Sequence, residues 1–164
     1  MTNLSPSPIL DPRARPSQSD DGTALATRPL REALETGTIL FLDNGKCEFA
    51  DYMEIYRAIR DEFERRNFGT LTYCSETVRG RGAGEFEALA AEYADEGYDA
   101  AIVGLGDKGT TAGTTIFTIE LEHAGLPSVF VTSPPGSELA ESIVALRNAT
   151  VCLCPLDIYQ ASSD

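Results

Sequence analysis

The sequence has no tryptophan, a single histidine and no long hydrophobic run. A membrane-spanning helix needs about 20 consecutive apolar residues, so the sequence predicts no membrane span. The first residues also lack the basic stretch followed by an apolar run that marks a secretory signal. We therefore expect a cytoplasmic protein.

Basic residues are scarce as well. Thirteen Lys and Arg stand against 26 Asp and Glu, which gives a formal net charge of −13. Such a chain repels phosphate backbones and anionic lipids, so neither nucleic acid nor a membrane surface is expected as a partner. The hydrophobic content of 42% is ordinary for a globular protein.

Cysteine is present in a pattern that argues against a structural metal site. The four cysteines form no Cys-x-x-Cys pair, and His123 is the only histidine. No metal and no metal ligand are therefore predicted. Cys152 and Cys154 lie in a predicted strand and are expected to be buried or half-buried, whereas Cys47 follows a strand end and is a candidate functional thiol.

The N-terminal segment, residues 1–28, contains Pro6, Pro8, Pro12 and Pro16. This composition favours an extended arm rather than a core. The arm is either disordered or lies across a neighbouring subunit. The remainder, residues 29–164, is expected to form a single α/β domain.

Short apolar runs alternate with segments of helical periodicity after the arm. Continuous apolar runs are typical of buried parallel strands, and repeated strand–helix–strand units predict right-handed crossovers. We expect a doubly wound three-layer sandwich, flavodoxin- or Rossmann-like, with a mostly parallel sheet. The predicted strands are residues 38–42, 71–74, 100–104, 127–132 and 150–154.

Polar and glycine residues are concentrated in three loops at the predicted carboxyl ends of strands, where ligands bind in such sheets. The loops are residues 43–46, 104–115 and 132–136. They supply the predicted substrate-binding residues, which are Asn44, Gly45, Lys46, Cys47, Gly106, Gly109, Thr110, Thr111, Thr114, Thr115, Thr132 and Ser133.

The motif Gly-Leu-Gly-Asp-Lys-Gly-Thr-Thr at residues 104–111 formally matches a dinucleotide fingerprint. It follows the third strand rather than the first, and Thr132 stands where an acidic residue would close the next strand. No cofactor is therefore predicted. The glycines, a helix N-terminus and Lys108 instead favour a site for an anion or oxyanion. Alternatively, the threonines only cap the helix and Lys108 is solvated.

Three residues are candidate catalytic groups: Asp43, Asp107 and Lys108. Each aspartate closes a predicted strand, and a carboxylate pair or an Asp–Lys pair can transfer protons. An aspartate after a buried strand is also a common turn residue. His123 is expected in the last turn of a helix, in a structural or surface role.

Several motifs together resemble the UGSC family, which is named for a selenocysteine- or cysteine-Gly-Ser-Cys motif after a Gly-Asp pair. They are Ile-Leu-Asp-Pro at residues 9–12, Leu-Asp-Asn-Gly-Lys at residues 42–46 and the motif at residues 104–111, followed by Ile-Glu-Leu-Glu at residues 119–122 and Gly-Leu-Pro at residues 125–127. The resemblance covers most of the chain, including the arm. It implies a pocket formed by Asp43, Asn44, Lys46, Gly106 and Asp107.

The chain departs from the family motif at the positions that give the family its name. Lys108 stands where the first redox residue is expected, and Thr110 and Thr111 stand in place of Ser-Cys. Thiol or selenol chemistry therefore cannot run through these positions.

Two functions fit the sequence. The first is an enzyme, or a subunit of one, that acts on a small carbonyl- or carboxylate-bearing metabolite by lyase or transferase chemistry. Lys108 would then be an electrostatic clamp or an amine nucleophile. The second is a non-catalytic subunit of a heteromer whose motif-intact paralogue carries the cysteine chemistry. We therefore expect a homo- or hetero-oligomer, and the second function requires a hetero-oligomer.

Overall fold

The computed structural model describes residues 30–45, 52–107 and 109–156. Within these ranges helices and strands alternate along the chain. The strands are β1 (Thr38–Asp43), β2 (Thr70–Ser75), β3 (Ala100–Gly106), β4 (Ser128–Thr132) and β5 (Cys152–Pro155). The helices are α1 (Leu30–Thr36), α2 (Tyr52–Arg66), α3 (Ala83–Asp95), α4 (Thr111–His123) and α5 (Pro134–Leu146).

The five strands form one parallel sheet in the order β2-β1-β3-β4-β5. This confirms the predicted doubly wound α/β fold, and the order is that of flavodoxin-like proteins. The direction in which strands are added reverses between β1 and β3. The loops that follow these two strands therefore flank the switch point, where such sheets bind ligands.

Helices cover both faces of β1, which explains its continuous apolar run. Leu40 and Leu42 pack in a cluster with Phe86 of α3 and Phe117 of α4, whose rings stack at 5.5 Å between centroids. Phe41 belongs to a second cluster, on the opposite face, with residues of α1 and α2. Burial on both faces is the usual environment of a parallel strand.

Helix α1 was not predicted from the sequence. Its residues Ala33 and Leu34 pack in the cluster that contains Phe41. Ala33 is fully buried against the sheet. The helix has only seven residues, and its pattern was too short to separate it from the preceding segment.

The predicted loop at residues 104–115 is much shorter in the structure. Strand β3 continues to Gly106, which pairs with Thr132 of β4 after an irregularity in the register. Helix α4 begins at Thr111, one turn earlier than expected. Only residues 107–110 therefore connect the two elements.

The predicted loop at residues 132–136 is likewise mostly helix. Helix α5 begins at Pro134, with Ser133 as its N-cap residue. Proline fits the first turn of a helix because the amide it lacks would have no intrahelical partner there.

The expectation of buried thiols in the last strand was wrong. Cys152 and Cys154 are both exposed. They lie two residues apart on β5, at the edge of the sheet, and therefore point to the same face. Cys47 and the N-terminal arm lie outside the described residues.

None of the described helices combines the length and apolar character that crossing a membrane requires. His123 lies at the end of α4 with an exposed side chain, and its Nδ1 is 3.3 Å from Glu120 Oε2. This agrees with the predicted surface position.

Candidate functional site

Asp43 ends β1 as a buried carboxylate that accepts several hydrogen bonds. Its Oδ2 accepts from the Tyr73 hydroxyl at 2.7 Å and from the Ser75 hydroxyl at 3.3 Å. Its Oδ1 accepts from the Gly45 amide at 2.7 Å. These contacts fix the carboxylate between β2 and the loop that follows β1. Burial, followed by the hydrogen bond to Asp43, raises the pKa of Tyr73 to about 12.

Asn44 connects the end of β1 to β3 and α4 across the switch point. Its side chain is 1% exposed. The amide Nδ2 donates to the Leu105 carbonyl at 2.8 Å and to Thr114 Oγ1 at 3.0 Å. A buried amide with good partners orders the elements it joins. Asn44 thus holds the β1 loop against the start of α4.

Asp107 is the corresponding carboxylate at the end of β3 and is 7% exposed. Its Oδ1 accepts a hydrogen bond of 3.1 Å from the Ser133 hydroxyl. Its backbone carbonyl accepts from the amides of Thr110 and Thr111 at 3.0 and 3.2 Å. Asp107 is therefore joined through its side chain to the start of α5 and through its backbone to the start of α4.

The threonine hydroxyls of α4 bond to their own helix. Thr111, Thr114 and Thr115 each donate to the carbonyl four residues earlier, at 3.0, 2.9 and 2.7 Å. This is the usual bond of a threonine inside a helix. All three side chains are buried, Thr114 and Thr115 completely, so these hydroxyls stabilise the helix from inside the protein.

The junction of β3, β4 and α5 is packed around two glycines. A Cβ atom on Gly106 would lie 2.1 Å from the ring of Phe130, and one on Gly136 would lie 2.4 Å from Thr132 Oγ1. Thr132 also donates to the Gly106 carbonyl at 2.7 Å. These two positions accept only glycine because the strands and the helix approach so closely.

A cavity of about 240 Å³ lies beside Asp107, between the N-termini of α4 and α5. Amide groups at helix N-termini favour negative charge. Among the described residues of the wall, Asp107 is the one acidic side chain, and the others are apolar or present backbone and one hydroxyl. The wall includes Asp107, Gly109, Thr111, Pro135, Gly136 and Leu139.

The predicted site residues fall into two neighbouring groups. Asp43 and Gly45 belong to the cluster at the end of β1, whereas Asp107, Gly109, Thr111 and Ser133 surround or support the cavity. Asn44 and Thr114 join the two groups. Lys46, Cys47 and Lys108 lie outside the described residues.

Two partners of Asp43 were not predicted. Tyr73 and Ser75 lie on β2, and Ser75 is in register with Asp43. The available signal was Ser75, a polar residue directly after the predicted strand at residues 71–74. Pro135 and Leu139 of the cavity were also missed. Pro135 lies in a predicted loop but has no polar side chain, and Leu139 has the spacing of an ordinary apolar helix residue.

Comparison of the sequence with models of protein families relates this chain to known proteins. The model of the UGSC family matches residues 8–149. The chain belongs to the UGSC family. The match includes every described element through α5 and reaches back into the N-terminal arm. Neither the curated proteins nor the solved structures give a match to this UGSC protein.

The described residues of this UGSC protein provide no ligand set for a metal ion. Among the described residues, no group of three or more His, Cys, Asp or Glu side chains is placed to hold a metal ion. The described polar groups at the carboxyl ends of β1 and β3 include carboxylates, hydroxyls, the Asn44 side-chain amide and backbone amides.

Proposed function

We propose that this UGSC protein is an enzyme, or a subunit of one, that acts on a small carbonyl- or carboxylate-bearing metabolite in the cavity beside Asp107. The observation that carries the proposal is the buried Asp107 carboxyl, held by Ser133 in the wall of a cavity of about 240 Å³. The cavity lies beyond the carboxyl end of a parallel strand, which is where this fold class binds ligands.

Asp107 is the proton-transfer group in this proposal. The carboxylate takes a proton from the carbon next to the substrate carbonyl. The electron pair of that C–H bond forms a C=C bond, and the π pair of the carbonyl moves onto its oxygen. The oxygen becomes negative and faces the amide groups at the N-termini of α4 and α5, which stabilise it. Lys108 follows Asp107 in the sequence and adds a positive charge that favours an acidic substrate.

Proton exchange tests this role directly. Ligands are first selected from a panel of small 2-oxo acids, aldehydes and carboxylates by their effect on thermal unfolding. The loss of the substrate proton is then followed by NMR in D₂O. Asp107→Asn should slow the exchange by about 10²–10⁴-fold, the usual contribution of a general base, while the ligand still raises the unfolding temperature.

The control is Glu141→Gln, which removes an exposed carboxylate from the middle of α5. This variant should exchange the proton at the wild-type rate. If Asp107→Asn exchanges as fast as Glu141→Gln, Asp107 is not the base and the proposal is wrong.

A second function is favoured by the hydrogen bonds of α4. Thr110 and Thr111 stand where the sequence predicts the Ser-Cys of the family motif, and both hydroxyls donate to the Asp107 carbonyl, at 3.2 and 3.0 Å. Such a chain suits the non-catalytic half of a heteromer in the cytoplasm, with a motif-intact paralogue as its partner. Co-purification with that paralogue, together with full activity of a complex containing Asp107→Asn and Lys108→Ala, would favour this function.

A further inference from the structure

A second cavity lies on the opposite side of the sheet from α4 and α5. It has a volume of about 320 Å³ and sits between α2 and the carboxyl ends of the strands. Among the described residues, every side chain in its wall is apolar or a thiol, so this part of the wall favours an apolar ligand. Its wall includes Phe41, Ile55, Ile59, Leu105, Val131 and Cys154.

The sheet surface beside this cavity is apolar and partly open. The strand register places Ile102, Val129 and Cys152 in one row across β3, β4 and β5. Ile102 and Val129 are half-buried, and Cys152 is exposed. Leu156, also part of the cavity wall, is 47% exposed. A contiguous apolar surface of this kind usually binds another segment or another protein.

Helix α1, to which the N-terminal arm leads along the chain, packs on this same face. Helix α1 follows the arm directly, and Ala33 and Leu34 of that helix belong to the cluster that contains Phe41 and Leu105 of the cavity wall. Leu10 precedes the first residue of α1 by 20 residues. An extended chain of that length spans up to roughly 66 Å, which is more than the width of the sheet.

The composition of the arm suits an apolar surface. The pair Ile9-Leu10 lies between Pro8 and Pro12, which favour an extended backbone. Residues 1–29 carry three arginines and three aspartates, so the arm is neutral although the whole chain has a charge of −13. The UGSC family match begins at residue 8 and so includes the apolar pair.

We infer that Ile9 and Leu10 bind in the apolar cavity of their own chain and cover Cys154. The arm is then an intramolecular segment that completes the α2 side of the sheet. This assignment does not depend on the proposed enzymatic function, because it concerns the other face of the sheet.

The reactivity of the Cys154 thiol shows whether the arm is bound in the cavity. In a full-length background with Cys47→Ser, Cys74→Ser and Cys152→Ser, the rate of its reaction with N-ethylmaleimide measures its exposure. Replacing both Ile9 and Leu10 by aspartate should raise this rate at least about tenfold, because two buried apolar side chains are lost from the docked state. Circular dichroism establishes that each variant is folded.

The matched control is Ala14→Asp, which places a charge in the arm outside the apolar pair. It should leave the labelling rate within about twofold of the background. Equal acceleration by the control, or no acceleration by the double aspartate variant, overturns the inference.

Disulfide trapping identifies which segment occupies the apolar cavity. In the same background, Leu10→Cys should form a disulfide with Cys154 within one chain, whereas Ser19→Cys should not. A disulfide between two chains, or protection of Cys154 that disappears on dilution, makes a second copy the occupant and overturns the inference. It is also overturned if removal of residues 157–164, rather than the change at Ile9 and Leu10, exposes the thiol.

Discussion

The Ser133 hydroxyl donates a hydrogen bond to Asp107 Oδ1 at 3.1 Å while its oxygen accepts one from the Gly136 amide at 3.2 Å. One side chain therefore positions the carboxylate in the cavity wall and caps α5. The geometry of the candidate site and the start of this helix depend on each other. Changes to Ser133 affect both.

Ser133→Ala should lower the free energy of unfolding by about 1–2 kcal/mol, because an N-cap is lost and a buried carboxylate loses a donor. Urea unfolding measures the change. Ser142→Ala is the control, since this exposed serine bonds only to the Glu138 carbonyl of its own helix, and it should stay within about 0.5 kcal/mol of wild type. Equal effects of the two substitutions would contradict the role of Ser133 as a connection.

Gly136→Ala should destabilise the protein by about 1–3 kcal/mol, the usual cost of overpacking. The new Cβ would lie 2.4 Å from Thr132 Oγ1 and 2.8 Å from the Gly106 carbonyl oxygen. Gly84→Ala in α3 is the control, because nothing lies within 4 Å of its Cβ position. That substitution should be neutral or stabilise the helix by up to about 1 kcal/mol. Thermal unfolding that ranks the two variants in the opposite order would contradict the close approach of β3 and α5.

Asn44→Ala should cost about 1–3 kcal/mol, since it removes the donor to the buried Leu105 carbonyl and to Thr114 Oγ1. The loss should be accompanied by faster amide hydrogen exchange in the first turn of α4, which Asn44 holds against the end of β1. Thr72→Ala, on a half-buried position of β2, should leave exchange in α4 unchanged. Unchanged exchange in the Asn44 variant would show that the connection is not needed to order α4.

Alkaline titration should detect the Tyr73–Asp43 pair. The pKa of Tyr73 is raised from its ordinary 10.0 to about 12, first by burial and then by the hydrogen bond to Asp43. The folded state thus favours the neutral phenol. This contribution to stability is complete below pH 10 and is lost as the pH rises towards about 12.

The phenolate absorbance, compared between wild type and Tyr73→Phe, isolates this group from the other tyrosines. The difference titration should have its midpoint near pH 12. A midpoint at the ordinary value would show that the phenol is solvated and that its bond to Asp43 does not persist in solution.

The sequence was sufficient to predict the fold because the apolar runs are strong local signals. The run at residues 38–42 matches β1 almost completely, since a strand buried on both faces has few polar positions. Strand β3 was cut short at residue 104 because Gly-Leu-Gly looks like a loop. In the structure Gly106 is still paired, and its lack of a side chain makes room for Phe130.

The site was predicted less completely because its hydrogen bonds join distant parts of the chain. Asp43 ends β1 and Asp107 directly follows β3, at the positions where the sequence predicts them. Their partners Tyr73 and Ser133 depend on which strands are neighbours and on where α5 begins. The local sequence pattern contains neither the strand order nor the start of α5. The pairs Asp43–Tyr73 and Asp107–Ser133 are therefore seen only in the structure.

The last strand of the sheet has a consequence for how the molecule behaves in concentrated solution. Strand β5 has four residues, lies at the edge of the sheet and ends in Pro155. An edge strand offers its unpaired amide and carbonyl groups to other molecules, and short length and proline both limit such pairing. The outer edge at β5 therefore protects the sheet from growing into an aggregate by strand addition.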